Sequence, residues 1–276
     1  MSGVRIAILQ AQSGIEPSNN ADRLGAAVRQ AAVGGAAMLF TPEMSGMLDR
    51  DRERAYSKAR HEADDQVLAA VRNAAAASGI WVHLGSLALR GGGDKLVNRG
   101  FVVDNRGEVR ARYDKIHLFD VDLPTGESWR ESAMYDAGTD AVIVPDTPVG
   151  RLGLTICYDL RFPALFERLS EAGAEVIAVP AAFTVPTGRA HWQVLMRARA
   201  IEAELFIVAA AQAGRHEDGR ETYGHSLVVD PWGELLLEMG GEPGLSFAEL
   251  DLARIADVRS RIPVHQHRRP IAPLPN

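Results

Sequence analysis

Cys157 is the only cysteine in the 276-residue chain, and its place in the sequence suits chemistry. The apolar, β-branched stretch from Gly150 to Ile156 reads as a buried strand. Beyond it, Ala164 to Ala172 spaces its apolar residues as a helix does, and Pro163 suits a first helical position. Cys157 is therefore expected at a sharp strand-to-helix turn, where a side chain is presented to a cleft beside unpaired backbone N–H groups. A thiol there is a candidate nucleophile; the alternative is a small buried hydrophobe. Two more residues fall where side chains converge in α/β folds. Glu43 ends an apolar strand in Phe40-Thr41-Pro42-Glu43-Met44, and Lys115 follows a hairpin in Tyr113-Asp114-Lys115-Ile116-His117-Leu118. Taken singly, Glu43 can also be a helix N-terminal acid, and Lys115 a solvated cation paired with Asp114 or Asp120.

The elements that must position these residues alternate along the chain. Strands are predicted over 4–10, 36–40 and 80–88, helices over 19–32 and 64–78, and a hairpin over 98–104 and 108–113. The second half repeats the plan. A strand ends at Cys157, a helix runs to about Gly173, a strand covers 174–180, a helix 191–204 and a strand 205–211. A second hairpin covers 227–230 and 234–238. Val102-Val103-Asp104-Asn105-Arg106-Gly107-Glu108-Val109 is echoed by Val228-Val229-Asp230-Pro231-Trp232-Gly233-Glu234-Leu235. Pro42-Glu43 corresponds to Pro180-Ala181, so one half keeps an acid that the other lacks. Two such α/β halves stack as a four-layer α-β-β-α sandwich with internal pseudo-twofold symmetry. One domain over 1–276 is expected, with 263–276 an extended C-terminal tail that forms no regular element.

Composition narrows the function classes. The net charge is −6, from 30 basic and 36 acidic residues, with no basic tract that would suit nucleic acid. One cysteine excludes an internal disulfide framework and a Cys-cluster zinc site. No signal-peptide pattern or membrane-length apolar run is present, and a cytoplasmic protein is expected.

Together, the motifs around Glu43 and Lys115 and the stretch Gly153-Leu154-Thr155-Ile156-Cys157-Tyr158-Asp159-Leu160-Arg161-Phe162-Pro163 resemble, in order and spacing, those of the nitrilase superfamily of carbon–nitrogen hydrolases. The resemblance covers essentially the whole chain. It implies the αββα sandwich, a Glu43–Lys115–Cys157 triad, a small-molecule amide substrate and no metal or organic cofactor. Glu43 would be the base, and Lys115 with the backbone N–H of Tyr158 the oxyanion donors. It also implies a second glutamate after the lysine motif; Glu127 and Glu131 compete, and ungapped extension favours Glu131.

The second half resembles the Nit branch, through Ala181-Ala182-Phe183-Thr184, the segment His191 to Glu202, Tyr223-Gly224-His225-Ser226 and Pro263 to Pro270. That branch implies cleavage of deaminated glutathione to 2-oxoglutarate and cysteinylglycine. Alternatives are an ω-amidase on 2-oxoglutaramate or 2-oxosuccinamate, an N-carbamoyl amidohydrolase, a nitrilase and a catalytically silent scaffold. Phe183 and Thr184 are expected to line the pocket. Arg161, Arg189 and Arg215 are candidates to hold substrate carboxylates, whereas Arg197 and Arg199 read as structural. His265 and His267 read as tail packing. A homodimer or higher homo-oligomer is the expected assembly, with the tail crossing to the partner.

Overall fold

The computed structural model describes residues 3–123, 126 and 128–272. The first half runs β1 (Val4–Gln10), α1 (Pro17–Val33), β2 (Met38–Phe40), α2 (Arg52–Lys58), α3 (Gln66–Ser78), β3 (Trp81–Arg90), β4 (Leu96–Val103) and β5 (Val109–Asp114). A small ribbon, β6 (Asp120–Asp122) and β7 (Ser128–Arg130), and the short β8 (Tyr135–Asp136) follow. The second half runs β9 (Val142–Thr147), β10 (Gly150–Leu154), α4 (Pro163–Glu171), β11 (Val176–Ala178), α5 (Val185–Ala203), β12 (Phe206–Ala209), β13 (Ala213–Arg215), β14 (Glu221–Tyr223), β15 (Leu227–Val229) and β16 (Leu235–Glu238). β17 (Gly244–Leu250), α6 (Ala253–Arg261) and α7 (Val264–His267) close the chain.

The strands form two main sheets of matching design. One has the order β17-β1-β2-β3-β4-β5, with β8 beside β4; the other has the order β16-β15-β12-β11-β10-β9. In each, three consecutive strands are parallel and a hairpin continues them antiparallel: β1, β2, β3 then β4, β5, and β10, β11, β12 then β15, β16. The outer edges match too, since β17 is antiparallel to β1 and β9 to β10. Alternation along the strands assigns the layers. Ile6, Ile8, Met38, Phe40 and Val102 pack with the second sheet and its helices in one core. Ala7, Leu39, Val82, Leu84, Phe101 and Val103, on the opposite face, pack beneath α1 and α3. The pattern is the α-β-β-α sandwich with the internal echo read from the sequence.

Three local expectations need correction. A 3₁₀ turn, Cys157–Arg161, stands between β10 and α4, so the strand does not pass directly into a helix. The helix expected over 191–204 starts six residues earlier: α5 begins at Val185, with Pro186 accommodated in its first turn, where no intrahelical N–H donor is needed. The tail does form a regular element, the short helix α7. His265 anchors it, Nε2 lying 2.9 Å from the Ser170 hydroxyl on α4, while Arg268 pairs with Glu167 and Glu171 on the same helix. Residues 273–276 of that tail lie outside the described residues.

Candidate active site

The two sheets meet at their strand ends, and Gly85 makes the approach feasible. A Cβ on Gly85 would lie 2.2 Å from the Thr41 carbonyl oxygen and 2.6 Å from Pro180 Cβ. Only glycine lets the chain leaving β2 and the chain leaving β11 come this close. Glu43 follows β2 here and is buried. Its Oε1 accepts from Lys115 Nζ and from Asn98 Nδ2, each at 2.9 Å. Its Oε2 accepts the Ala182 N–H from the other half at 3.0 Å.

Lys115 emerges directly after β5, its backbone N–H donating to the Asn98 carbonyl on β4 at 2.9 Å. Its ammonium also meets both oxygens of Glu131, at 3.0 and 2.8 Å. Glu131 opens a 3₁₀ turn after the small ribbon, and its Oε2 accepts the Phe119 N–H at 2.6 Å. Glu127 lies outside the described residues. Burial alone would push the Lys115 ammonium towards its neutral form, but the carboxylates of Glu131 and Glu43 hold it well above the usual lysine range. One cation is thus locked between two acids, with Asn98 donating to Glu43 and, at 3.3 Å, to Glu131.

Cys157 has φ 51°, left-handed for a residue with a side chain, which costs about 1–3 kcal/mol. The surroundings hold it there. Its N–H donates to the Pro180 carbonyl at 2.8 Å, and the Thr155 hydroxyl donates to the Ala178 carbonyl at 2.8 Å. Asp159, fully buried, ties the elbow to the lysine segment. Its Oδ2 accepts the Ile156 N–H and the Tyr113 hydroxyl at 2.8 and 2.7 Å. Its Oδ1 accepts the His117 N–H at 3.0 Å and lies 2.7 Å from His117 Nδ1. The N–H groups of Cys157 and Asp159 are both satisfied, while the Tyr158 N–H between them has no acceptor among the described residues. Burial pushes the Cys157 thiol well above the usual cysteine range. The Glu43 carboxylate it faces pushes it further, and the Lys115 charge does not overcome them. The thiol therefore rests protonated beside a carboxylate.

Cys157, Glu43, Lys115, Glu131 and Tyr158 open onto one cavity of about 240 Å³, and Phe183 and Thr184 also line it. That volume suits a small molecule rather than a polymer. The three expected carboxylate-binding arginines do not line it. Arg161 stands behind Phe183, its guanidinium 5.7 Å from that ring. Arg189 is exposed because α5 begins before it and turns it outward, and Arg215 is exposed on β13. Arg50, Arg52, Arg130 and Arg220 reach the cavity instead. Arg197 and Arg199 bond to the carbonyls of Gly233 and Leu160, as structural residues do. Sequence reading missed Asn98 and Asp159, and neither has a local signal beyond a polar residue in or next to an apolar strand. Among the described residues no cluster of three or more His, Cys, Asp or Glu side chains could hold a metal ion, and no helix is long and apolar enough to cross a membrane.

The fold is that of the nitrilase superfamily. Residues 5–260 match the carbon–nitrogen hydrolase family model, and the chain belongs to that family, whose members are enzymes that hydrolyse carbon–nitrogen bonds. It is 39% identical to the deaminated glutathione amidase of Yersinia enterocolitica, over 99% of this chain and 96% of that one. The crystal structure of the Caenorhabditis elegans NitFhit protein superposes with a TM-score of 0.89 at 38% identity. The match covers 98% of this chain and 66%, just under two thirds, of the worm chain. A mutant amidase from Nesterenkonia sp. AN1, with an acetamide moiety added covalently at its active-site cysteine, superposes at 0.80 with 28% identity, covering 96% of each chain.

Proposed function

We propose that this chain is a thiol amidase that hydrolyses deaminated glutathione to 2-oxoglutarate and cysteinylglycine through a thioester on Cys157. The observation that carries the mechanism is the buried thiol of Cys157 sharing one cavity with Glu43, with Lys115 bonded to that carboxylate at 2.9 Å. Glu43 Oε2, which accepts one N–H while Oε1 accepts two donors, takes the thiol proton. The sulfur pair attacks the amide carbonyl carbon, and the C=O π pair moves onto oxygen. The Lys115 charge and the Tyr158 N–H stabilise that oxyanion, each such donor being worth about a hundredfold to a thousandfold in rate. As the oxyanion collapses, the C–N bond breaks and the leaving nitrogen takes the proton from Glu43. Water then gives a proton to Glu43 and attacks the thioester. The C–S bond breaks, and the sulfur recovers its proton. Glu131 acts through Lys115, holding its ammonium in place.

The substrate assignment is supported by likeness to the Yersinia enterocolitica enzyme over nearly the full length of both chains. Its test is hydrolysis of deaminated glutathione beside 2-oxoglutaramate and a simple nitrile, with Cys157→Ala as control. Preferential release of cysteinylglycine, abolished in the variant, is expected. Preference for 2-oxoglutaramate would move the chain to ω-amidase chemistry, and full turnover by Cys157→Ala would overturn the mechanism.

The same reading takes residues 1–276 as one hydrolase domain working in the cytoplasm, a reducing compartment that suits a free thiol. It also takes the chain as a homodimer or larger homo-oligomer. Val194 and Ile201, seven residues apart on α5, are 67% and 48% exposed and leave an apolar strip that association would cover. Light scattering of the purified protein decides this; a monomer at micromolar concentration would refute it.

A further inference from the structure

The wall of the cavity carries four guanidiniums, and their partners differ. Arg130 is forked onto Asp122 at 2.8 and 2.9 Å, and Arg52 reaches the Arg130 carbonyl at 3.5 Å. Arg220, 17% exposed, spends its Nε on Asp218 at 2.7 Å and lies over the Trp129 ring, 5.1 Å from its centroid. Arg50 lies over the same indole at 6.0 Å, and its backbone N–H donates to the same Asp218 at 2.9 Å. Its guanidinium has no carboxylate partner among the described residues. Asp218 and Trp129 therefore bring two cations together and balance only one. The acids on this wall do not supply the missing charge: Asp49 is forked by Arg54 at 2.6 and 2.8 Å, and Glu221 is exposed without a bonded partner among the described residues. The Trp129 indole N–H is shielded from solvent and has no acceptor among the described residues.

We propose that Arg50 and Arg220, set on Trp129, form a subsite for a substrate carboxylate remote from the scissile amide, and so select acids over neutral amides. An anion there supplies the charge that the Arg50 guanidinium lacks, beside Arg220 and in the same cavity as Cys157 and Lys115. Arginine suits the role because its planar fork matches a carboxylate and its face stacks on an aromatic ring. The proposal rests on the amidase reading of this cavity and adds to it the class of substrate.

Deaminated glutathione offers two such carboxylates, on the glycyl end and on the 2-oxo acid. The test compares kcat/KM for deaminated glutathione, its C-terminal carboxamide and 2-oxoglutaramate in wild type, Arg50→Ala, Arg50→Lys and Arg220→Gln. If the glycyl carboxylate docks on Arg50 and Arg220, Arg50→Ala lowers the ratio of acid to carboxamide about tenfold to a hundredfold, and Arg50→Lys restores part of it. If the 2-oxo acid carboxylate docks there, all three substrates fall together by that factor. Either result supports the subsite. Values within twofold of wild type for all three substrates in both Arg50→Ala and Arg220→Gln would overturn it. Arg50→Ala removes no side-chain hydrogen bond among the described residues, so misfolding does not confuse the reading. Failure of the wild type to cleave deaminated glutathione would instead refute the substrate assignment. The pair succinamate and succinamide, one acid and one neutral, then reads the subsite by the same ratio.

Discussion

The two halves of this protein share a plan and differ in what they place at its strand ends. Beyond β2 the chain reads Thr41-Pro42-Glu43; beyond β11 it reads Val179-Pro180-Ala181. Beyond β10 stands Cys157, whereas beyond the corresponding β1 stand Ala11 and Gln12. One junction between the halves is thus ionisable and open to a cavity. The other is neutral and closed. There, Gln212 accepts the Ser13 N–H at 3.0 Å and donates to the Ser13 hydroxyl and the Glu43 carbonyl at 2.8 and 2.9 Å. Gln10 accepts the Ser226 N–H and donates to the carbonyls of Gly240 and Glu242, all at 2.7 Å. Every polar atom of the two amides is satisfied, as stability asks of buried groups. At the open junction a thiol, an oxygen of Glu43 and the Tyr158 N–H keep bonding capacity in reserve. The sandwich needs polar side chains at both places, and reactivity belongs to the one left unsaturated.

The largest test of that contrast is Glu43→Gln, which keeps the shape and removes the base. We expect kcat to fall about ten-thousandfold, in line with loss of one member of a catalytic set. The thiol should respond in the opposite sense. The Glu43 charge pushes the Cys157 pKa up, so the variant thiol ionises at lower pH than the wild type, read by ultraviolet thiolate absorbance across a pH series. An upward shift would show that Glu43 does not face the thiol as a charge. Next in size is Lys115→Met, which leaves two buried carboxylates without their cation. Activity should drop about a hundredfold to a thousandfold, and stability by about 3–5 kcal/mol, measured by urea denaturation. Wild-type stability with lost activity would mean that Glu43 and Glu131 do not depend on the cation.

Much of this contrast was legible in the residues alone, for identifiable reasons. The strands are short apolar runs ended by turn residues, and the hairpin of β4 and β5 repeats in β15 and β16, so local pattern carries the layers. Glu43, Lys115 and Cys157 stand out because each follows such a run. Asn98 and Asp159 do not, because their roles depend on partners far along the chain: Asn98 reaches Glu43 and Glu131, and Asp159 reaches Tyr113 and His117. Arg50 and Arg220 lie in charged segments without periodicity, and nothing local says that both lie over Trp129. Arg189 was misjudged for one reason: the helix expected from 191 begins at Val185, with Pro186 in its first turn, so Arg189 lies on the helix and is turned outward.

Adding charge to the closed junction sharpens the comparison. Ala181 is fully buried, and its N–H donates to the Ala210 carbonyl at 2.9 Å. Ala181→Glu places an acid where no lysine waits, at a cost of several kcal/mol. Burial raises the folded-state pKa of the new group above its unfolded value near 4.3. The folded chain then binds more protons than the unfolded one above that pH, so stability falls as pH rises. The deficit against wild type should be smaller at about pH 4 than at pH 7, compared by thermal unfolding. A constant deficit would assign the damage to crowding alone.

The smallest effect is expected where the two junctions touch. Gln212 belongs to the closed network, yet one of its amide hydrogens goes to the backbone carbonyl of Glu43. Gln212→Leu leaves that carbonyl and the Ser13 N–H without their partners, and it should cost about 2–3 kcal/mol of stability. The Glu43 side chain keeps Lys115, Asn98 and Ala182, so its carboxylate stays nearly in place. We expect kcat to fall only a few-fold, with KM little changed. A loss as large as that of Glu43→Gln, in a variant that still folds, would mean that the neutral junction sets the base in position and that the division between a structural and a reactive end is wrong.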